Sequence, residues 1–398
     1  MGINRQRYSP IMRIGSSALF YTIGTGAIWF LLPIIAEKSF NNLMIAASIL
    51  AVPNVVSLVF NIPLGELSDK TTRKKLILVG LISMVFLGLS LSHLVTIFDF
   101  LLFLIVFGFG NLLIIVPSRA YVMEISPTHK TSEYFGIFET LIQLGFIIGP
   151  IAGGYLIENQ LQDSIINPGT FSSVACLISI FFLIFIKDTI TPRENILRCI
   201  RSVITSDHIF SRGLKDFKNL HRTGFAILLS TFLFVFMDGV IWAIEPLYVT
   251  QGLDTETVGV IMAMFVLPFI LFEAPAGWFA DKYGKTNVFT IGLIVAGFSF
   301  IAFGMTYDPV TLSLTAFAAT TGIAIASPAI DGLLTDISSK KARGGIVGVW
   351  DMAEDSAYII SPIIGGTIAQ LYGINMMFIL LGVITLVGLP IFQKLLKP

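Results

Sequence analysis

The chain has 398 residues, no net formal charge, and a composition that is 55% hydrophobic and only 13% charged, with a mean hydropathy of +0.86. An ordinary soluble domain has about a quarter of its residues charged, so the composition excludes a water-soluble globule and points to an integral membrane protein. The balanced charge implies no nucleic-acid partner.

Apolar runs recur along the chain, each long enough to cross a hydrocarbon core of about 30 Å as a helix and too long for a membrane-barrel strand. The sequence predicts twelve spans, at 14–35, 43–66, 75–93, 98–122, 134–157, 168–187, 224–250, 257–280, 286–306, 309–335, 344–370 and 373–395. The first has no small-residue cleavage site and reads as a retained helix rather than a signal peptide. It carries Tyr21, Thr25 and Trp29 at spacings of four, which with Gln143 in span five are candidates to line a pore.

After span two comes GELSDKTTRKK, residues 65–75, with two acids and four bases in a chain where whole turns pass without a charge. Span four contains Arg119, a base at membrane depth that needs an acid; Glu124, Asp69, Glu66 and Asp188 are the candidates. In span five, Gly145, Gly149, Pro150, Gly153 and Gly154 strip one helix face of side chains and remove a backbone donor, which permits close packing and a kink.

In the second half, span seven places Asp238, Trp242 and Glu245 at i, i+4 and i+7 on one helical face. A carboxylate, an aromatic platform and a second carboxylate suit proton exchange or an organic cation. Span eight holds Glu273, four residues before Gly277. Span ten holds Asp331, aligned with Arg119 in the repeat set out below. Span eleven carries Asp351, Glu354 and Asp355 at i, i+3 and i+4, three carboxylates close enough to need bases or protons. Asp355 is the deepest and a second proton-site candidate; Asp351 is shallow enough to serve a gate. Each ionisable group at membrane depth costs roughly 2.5–3.5 kcal/mol on insertion scales, so each asks for a function and a partner.

Lys and Arg set the orientation, because positively charged loops stay cytoplasmic and an even number of spans puts both termini on that side. Of the 25 bases, all fall there except Lys38, in an opposite loop, and Arg119. Cys176 and Cys199 offer neither a disulfide framework nor a metal-ligand spacing. His93, His129, His208 and His221 lie in or near loops, and there is no P-loop, histidine pair or nucleophile elbow. No metal, cofactor, enzymatic activity or ATP-driven pump is expected.

Sliding the sequence against itself by 212 residues aligns Gly65, Asp69, Lys70 and Arg73 with Gly277, Asp281, Lys282 and Lys285. The match continues at Pro63/Pro275, Gly110/Gly322, Glu124/Asp336, Gly136/Gly348, Glu139/Asp351, Pro150/Pro362 and Gly153-Gly154/Gly365-Gly366. Such an offset predicts two six-helix halves in one orientation, residues 1–188 and 224–398, joined by a basic linker at 189–223. The major facilitator superfamily is the worked example of that parallel arrangement.

These motifs resemble that superfamily over about residues 11–396. GELSDKTTRKK and GWFADKYGK are similar to its motif A, GFIIGPIAGG to the Gly-rich motif of its proton-coupled exporters with an echo in AYIISPIIGG, and EISPTHKTSEYFG and DISSKKARGGIVG to its loops after spans four and ten. The resemblance implies an all-α membrane fold of twelve helices in two pseudo-symmetric bundles. It implies that Asp69 meets the start of span eleven near Gly344 and Gly345, and Asp281 the start of span five near Glu133 to Gly136, closing the cytoplasmic side. The expected gate comprises Gly65, Asp69, Lys70, Arg73, Arg119 and Glu124 with Gly277, Asp281, Lys282, Lys285, Asp331, Asp336, Arg343 and Asp351. Two positions depart from the exporter pattern: Leu104 stands where many carry an arginine four residues before a glycine, and span one reads Gly24-Thr25-Gly26 where many carry an acid. Coupling is therefore expected in the C-terminal half.

The expected function is alternating-access export of small amphipathic or cationic organic compounds in exchange for protons, by a monomer in the plasma membrane. Its expected partners are the lipid bilayer, a small-molecule substrate and protons. Uptake of a small metabolite by symport or uniport, and a non-transporting sensor or scaffold, are the alternatives; the costly membrane-depth carboxylates argue against the last.

Overall fold

Backbone hydrogen bonding inside a bilayer has to be satisfied within each segment, so the apolar runs fold as helices. The computed structural model describes residues 5–127, 130–158, 167–188, 222–337 and 343–396. The linker expected at 189–223 lies outside the described residues as far as residue 221, as do Lys340, Lys341 and the side chains of Asp336 and Arg343. Among the described residues there are thirteen α-helices and no strand. They are α1 (Arg5–Phe40), α2 (Leu43–Ser48), α3 (Ala51–Lys70), α4 (Arg73–Ser90), α5 (Ile97–Ile125), α6 (Thr131–Glu158), α7 (Pro168–Ile184), α8 (Arg222–Ile244), α9 (Thr255–Tyr283), α10 (Lys285–Gly304), α11 (Pro309–Ile337), α12 (Arg343–Tyr372) and α13 (Ile374–Leu396).

This is an all-α membrane fold of twelve crossings, α2 and α3 together making the second. Ten crossings are long and apolar enough by length and hydropathy. Helix α7 is apolar but only 17 residues long. Helix α12 is the twelfth; Asp351, Glu354 and Asp355 dilute its apolar character.

Two expected spans prove discontinuous. The second breaks at residues 49–50, because Pro53 has no N–H and its ring crowds the carbonyl four residues back; Asn42 caps the short α2 by accepting from Ile45 N at 3.0 Å. The seventh is α-helical only to Ile244 and continues as a 3₁₀ turn, Glu245–Gln251, at Pro246, ending on Gly252 in the left-handed region at φ +94°. Glu245 is therefore not on an unbroken α-helical face with Asp238.

The chain divides into two compact units, Met1–Leu31 with Val55–Ser206, and Leu32–Asn54 with Asp207–Pro398. In the first, α4 crosses α5 at two glycines: a Cβ at Gly80 would stand 2.8 Å from Gly110 O. Helix α1 meets α6 where a Cβ at Gly149 would stand 2.7 Å from both Ala27 N and Ile23 O. Ser17 and Ser179 bind each other's backbone, at 3.0 and 2.6 Å, and tie α1 to α7. Lys74 Nζ donates to Ile184 O and Ile186 O at 2.7 and 2.9 Å, and Arg13 Nη1 to Phe185 O at 2.9 Å, so two bases satisfy the carbonyls at the end of α7.

The second unit repeats the first crossing. Gly292 and Gly322, each 212 residues after Gly80 and Gly110, bring α10 against α11, with a Cβ at Gly292 only 2.5 Å from Gly322 O. Gly239 on α8 faces Ser361 on α12, which stands where α6 has Gly149. Aromatics packed edge to face fill the interior, Phe303 lying 4.6 Å from Phe378 and 5.1 Å from Phe265 between centroids. The segment 32–54 joins this unit through Leu43 N donating to Gln370 Oε1 at 2.8 Å and Asn54 Nδ2 to Tyr358 O at 3.4 Å.

The motif glycines Gly65 and Gly277 do not stand at tight helix crossings. A Cβ at Gly65 would meet nothing within 4 Å, and one at Gly277 only Pro328 Cβ at an ordinary 3.7 Å; the tight crossings are made by Gly80/Gly110 and Gly292/Gly322. The loops after the two motifs also differ. Thr72 is extended at φ −67°, whereas Gly284 takes φ +94°, a conformation open to glycine at little cost.

Two predictions follow from this packing and capping. Gly322→Ala should lower the unfolding midpoint of the detergent-purified protein by the equivalent of about 1–3 kcal/mol, as overpacking does. Gly136→Ala, with nothing within 4 Å of the added carbon, should be neutral or stabilising by up to about 1 kcal/mol; scanning fluorimetry reads both, and equal losses would contradict the crossing. Asp254 and Asp308 accept backbone hydrogen bonds from Thr257 and Thr311 at the starts of α9 and α11. Asp254 is held below the usual carboxylate range chiefly by the Thr257 side chain and Asp308 by the Thr311 backbone. Their contribution is complete above the unfolded value of about 3.9 and is lost as pH falls through the lower folded values. Asp308→Asn, which keeps the cap without the charge, should flatten the fall of the midpoint between about pH 4 and pH 3; an unchanged slope would count against it.

Candidate functional site

The second unit concentrates carboxylates on helices that face one another, and aromatic donors hold two of them. Asp238, half-buried at mid-length of α8, accepts from Tyr358 Oη at 2.7 Å and from the Trp242 side chain one turn on. Glu354 on α12 accepts from Trp350 Nε1 at 2.7 Å. Trp350, Glu354 and Tyr358 recur every four residues, so one face of α12 carries both aromatic donors. Asp351 and Asp355 are half-buried on the same helix, and the charges of Glu354 and Asp355 reach Tyr358. Asp331 on α11 feels the charges of Glu273 on α9 and Glu354 on α12, which brings three carboxylates from three helices within electrostatic reach. Phenol and indole are neutral donors: they hydrogen-bond Asp238 but bring no compensating charge to it.

Glu245 is different. It is fully buried, and neither carboxylate oxygen has a hydrogen-bond partner among the described residues; the nearby Tyr248 hydroxyl, also buried, has none either. Glu245 follows directly on Ile244, the last α-helical residue, and opens the 3₁₀ turn at Pro246.

The first unit holds its polar groups in pairs. Tyr21 is buried and donates to Asn111 Oδ1, and Thr25 is buried with its hydroxyl on Tyr21 O at 3.0 Å. Trp29 is half-buried and stands edge-on to Phe107 at 5.3 Å. Gln143 lies half-buried on α6. Along α6, a Cβ at Gly145 would collide with Thr22 Oγ1, and one at Gly153 would touch Ala27 Cβ at 3.4 Å; Gly154 is buried and Pro150 sits inside the helix.

Among the motif residues, Arg73 is 5% exposed and lies between Glu124, 2.8 Å from Nη1, and Asp69, 3.3 Å from Nη2. The Glu124 contact is one of charge at close range and is not aligned as a hydrogen bond. Lys70 is half-buried. Lys285, the counterpart of Arg73, donates from Nζ to Gly332 O at 3.0 Å and ties α10 to α11. Asp281 and Lys282 are exposed, with Lys282 Nζ 4.7 Å from the Trp278 ring.

Arg119 corrects an expectation. Its partner is Glu139 on α6, at 3.3 Å. Arg73 already occupies Glu124, and Asp188 accepts from Lys74 N at 3.1 Å, so those two expected acids are engaged elsewhere. Glu139 had been visible only as the counterpart of Asp351. Tyr358, Trp350 and Asn111 were also missed; the signal for the first two was their spacing of four from Glu354.

Comparison with known proteins comes to the same class. The sequence profile described as Major Facilitator Superfamily matches residues 14–210 and 227–398. A transporter of that type from Methanocaldococcus jannaschii, itself uncharacterised, is 26% identical over 80% of this chain and 81% of its own length. Multidrug resistance protein MdtG of Salmonella typhimurium is 24% identical over 79% of this chain and 76% of its own. The crystal structure of a bacterial homologue of the human lysosomal transporter Spinster superposes with a TM-score of 0.75 over 99% of this chain and 98% of that one at 13% identity, and that of the nucleoside transporter NupG with 0.75 over 97% and 100% at 12%. At such identities the structures speak for the fold.

The buried Arg73 gives a direct test. Glu124→Gln should destabilise the purified protein by about 1–3 kcal/mol, because it leaves a buried guanidinium with one exposed partner. Asp69→Asn, at a side chain 72% exposed, should cost under about 1 kcal/mol. The reverse order of unfolding midpoints would contradict the pairing.

Proposed function

The chain belongs to the Major Facilitator Superfamily, and on that premise we propose that it exports small amphipathic or cationic organic compounds in exchange for protons by alternating access. It is a multi-pass membrane transporter of small molecules and not an enzyme. The observation that carries this proposal is the Asp238 carboxylate at mid-helix, whose hydrogen-bond partners among the described residues are the neutral aromatic donors Tyr358 and Trp242. An uncompensated carboxylate at that depth needs a proton or a cation, and exchange of one for the other is the elementary step of the proposal. Trp242, Tyr358 and Trp350 supply flat faces beside the acids, suited to the apolar and cationic parts of one ligand. The multidrug names of several relatives agree with that class.

The proposal assigns substrate and proton to Asp238, Trp242, Glu245, Glu273 and Asp355, with Tyr21, Thr25, Trp29 and Gln143 from the first half. It assigns the gate to Gly65, Asp69, Lys70, Arg73, Arg119 and Glu124 and to Gly277, Asp281, Lys282, Lys285, Asp331, Asp336, Arg343 and Asp351, and helix packing to Gly145, Gly149, Pro150, Gly153 and Gly154. It takes residues 1–188 and 224–398 as the moving halves of a monomer, with both termini cytoplasmic in the plasma membrane, and the proton gradient as its energy source.

Proteoliposomes loaded with a fluorescent lipophilic cation, with and without an imposed pH gradient, test it. Gradient-driven cation movement should appear in the wild type and fall at least about tenfold in Asp238→Asn and in Asp355→Asn, the loss of a general proton-transfer group. Intact coupled transport in both variants would remove Asp238 and Asp355 from the mechanism. Accumulation of the compound in cells expressing the protein, rather than depletion, would reverse the direction.

A further inference from the structure

An apolar groove of about 280 Å³ opens on the second unit between α9, α10 and α11. Phe272, Phe279, Tyr283, Val288, Ile291 and Ile325 form most of its wall, which presents no polar surface. Phe279, Tyr283 and Ile291 are each about half exposed, so the groove faces the medium around the helices. In a membrane protein that medium is lipid. A groove with no polar surface favours hydrocarbon, each buried methylene adding to the binding.

One end of the groove carries a cation held in a defined place. Lys282 Nζ lies 4.7 Å from the Trp278 ring and 5.1 Å from that of Tyr283. Tyr283 is thus both groove wall and platform for the ammonium. Trp278 and Tyr283 sit in the last turns of α9, and Trp and Tyr at helix ends mark the headgroup level of a bilayer. The C-terminal end of α9 further favours a cation there. Lys285 directs its Nζ to Gly332 O, whereas the exposed Lys282 holds its ammonium beside the ring of Tyr283, a residue of the groove wall.

We propose that this groove seats an acyl chain of an anionic phospholipid of the surrounding bilayer, with the Lys282 ammonium bound to its headgroup phosphate. The charge at the mouth selects the anionic lipid, and the apolar wall selects the chain. This site is independent of the export reading, since it needs only that the helices lie in a bilayer.

The full-length protein in nanodiscs of phosphatidylcholine, doped with phosphatidylglycerol bearing a diazirine on its acyl chain, tests the proposal by photolabelling and peptide mapping. The label should concentrate on residues 272–291, and the matching phosphatidylcholine probe should label that stretch about fivefold less, the effect of about one basic residue near anionic headgroups. Lys282→Ala should bring the phosphatidylglycerol label down to the phosphatidylcholine level, and Lys282→Arg, which keeps the charge and the stacking, should restore it. Ile291→Trp, which fills the groove, should lower both. Equal labelling by the two probes, or no effect of Lys282→Ala, overturns the headgroup assignment. Label spread evenly over the outer helices, or displaced from 272–291 by a lipophilic cation, overturns the acyl-chain assignment.

Discussion

Tyr358 reaches from α12 to Asp238 on α8 with a 2.7 Å hydrogen bond, and the polar interior of the second unit is organised around that contact. In hydrocarbon a carboxylate is tolerable only if its lone pairs are occupied and its charge is met. The phenol and the Trp242 indole meet the first requirement and leave the second open. The same helices can approach closely enough for the bond because Gly239 stands opposite Ser361. Small residues on one face and a neutral donor one turn away thus make a site that is preorganised in geometry and unfinished in charge. The proposed exchange of a proton for a cation completes it.

The 212-residue repeat is conserved in packing more closely than in polar detail. The glycine pair Gly80/Gly110 returns as Gly292/Gly322 and brings the same helices together. Arg73 and its counterpart Lys285 each tie the helix they begin to the one that follows, Arg73 through Glu124 and Lys285 through a backbone carbonyl, and Arg73 also reaches back to Asp69 at the end of α3. At the offset of Glu139, which pairs with Arg119, the second unit has Asp351; at that of Arg119 it has Asp331. A base in the first half has become an acid in the second. That substitution adds Asp331, within reach of the charges of Glu273 and Glu354, to the acids of the second unit, and it is a physical reason to look for cation chemistry there.

Most of the fold was legible in the sequence, because twenty apolar residues in a row have few other uses and lysine and arginine mark the loops. The breaks were less legible. Pro53 and Pro246 sit inside runs whose hydropathy continues across them, and a proline alone does not mark a stop, since Pro63, Pro117 and Pro150 lie inside helices that continue. The pairing of Arg119 failed for a related reason: charge alone offered four acids, and the choice depended on which were already engaged by Arg73 and Lys74. Lys74 had seemed only a topological marker, yet its ammonium closes the carbonyl end of α7. Tyr358 and Trp350 were passed over because an aromatic in a chain with 34 phenylalanines looks like packing; their donor role shows only when Asp238, 120 residues away, is placed beside Tyr358. Glu245 was legible as a carboxylate at depth, but not as the first residue of a 3₁₀ turn.

Under the proposed exchange, Asp238 holds either a proton or a cationic ligand and not both. Calorimetric titration of the purified protein with a lipophilic cation, repeated in buffers of different ionisation enthalpy, counts the protons released on binding. The account predicts release of about one proton per cation bound near neutral pH, and its loss in Asp238→Asn. Binding with no proton release in the wild type, or the same release from the variant, would contradict it.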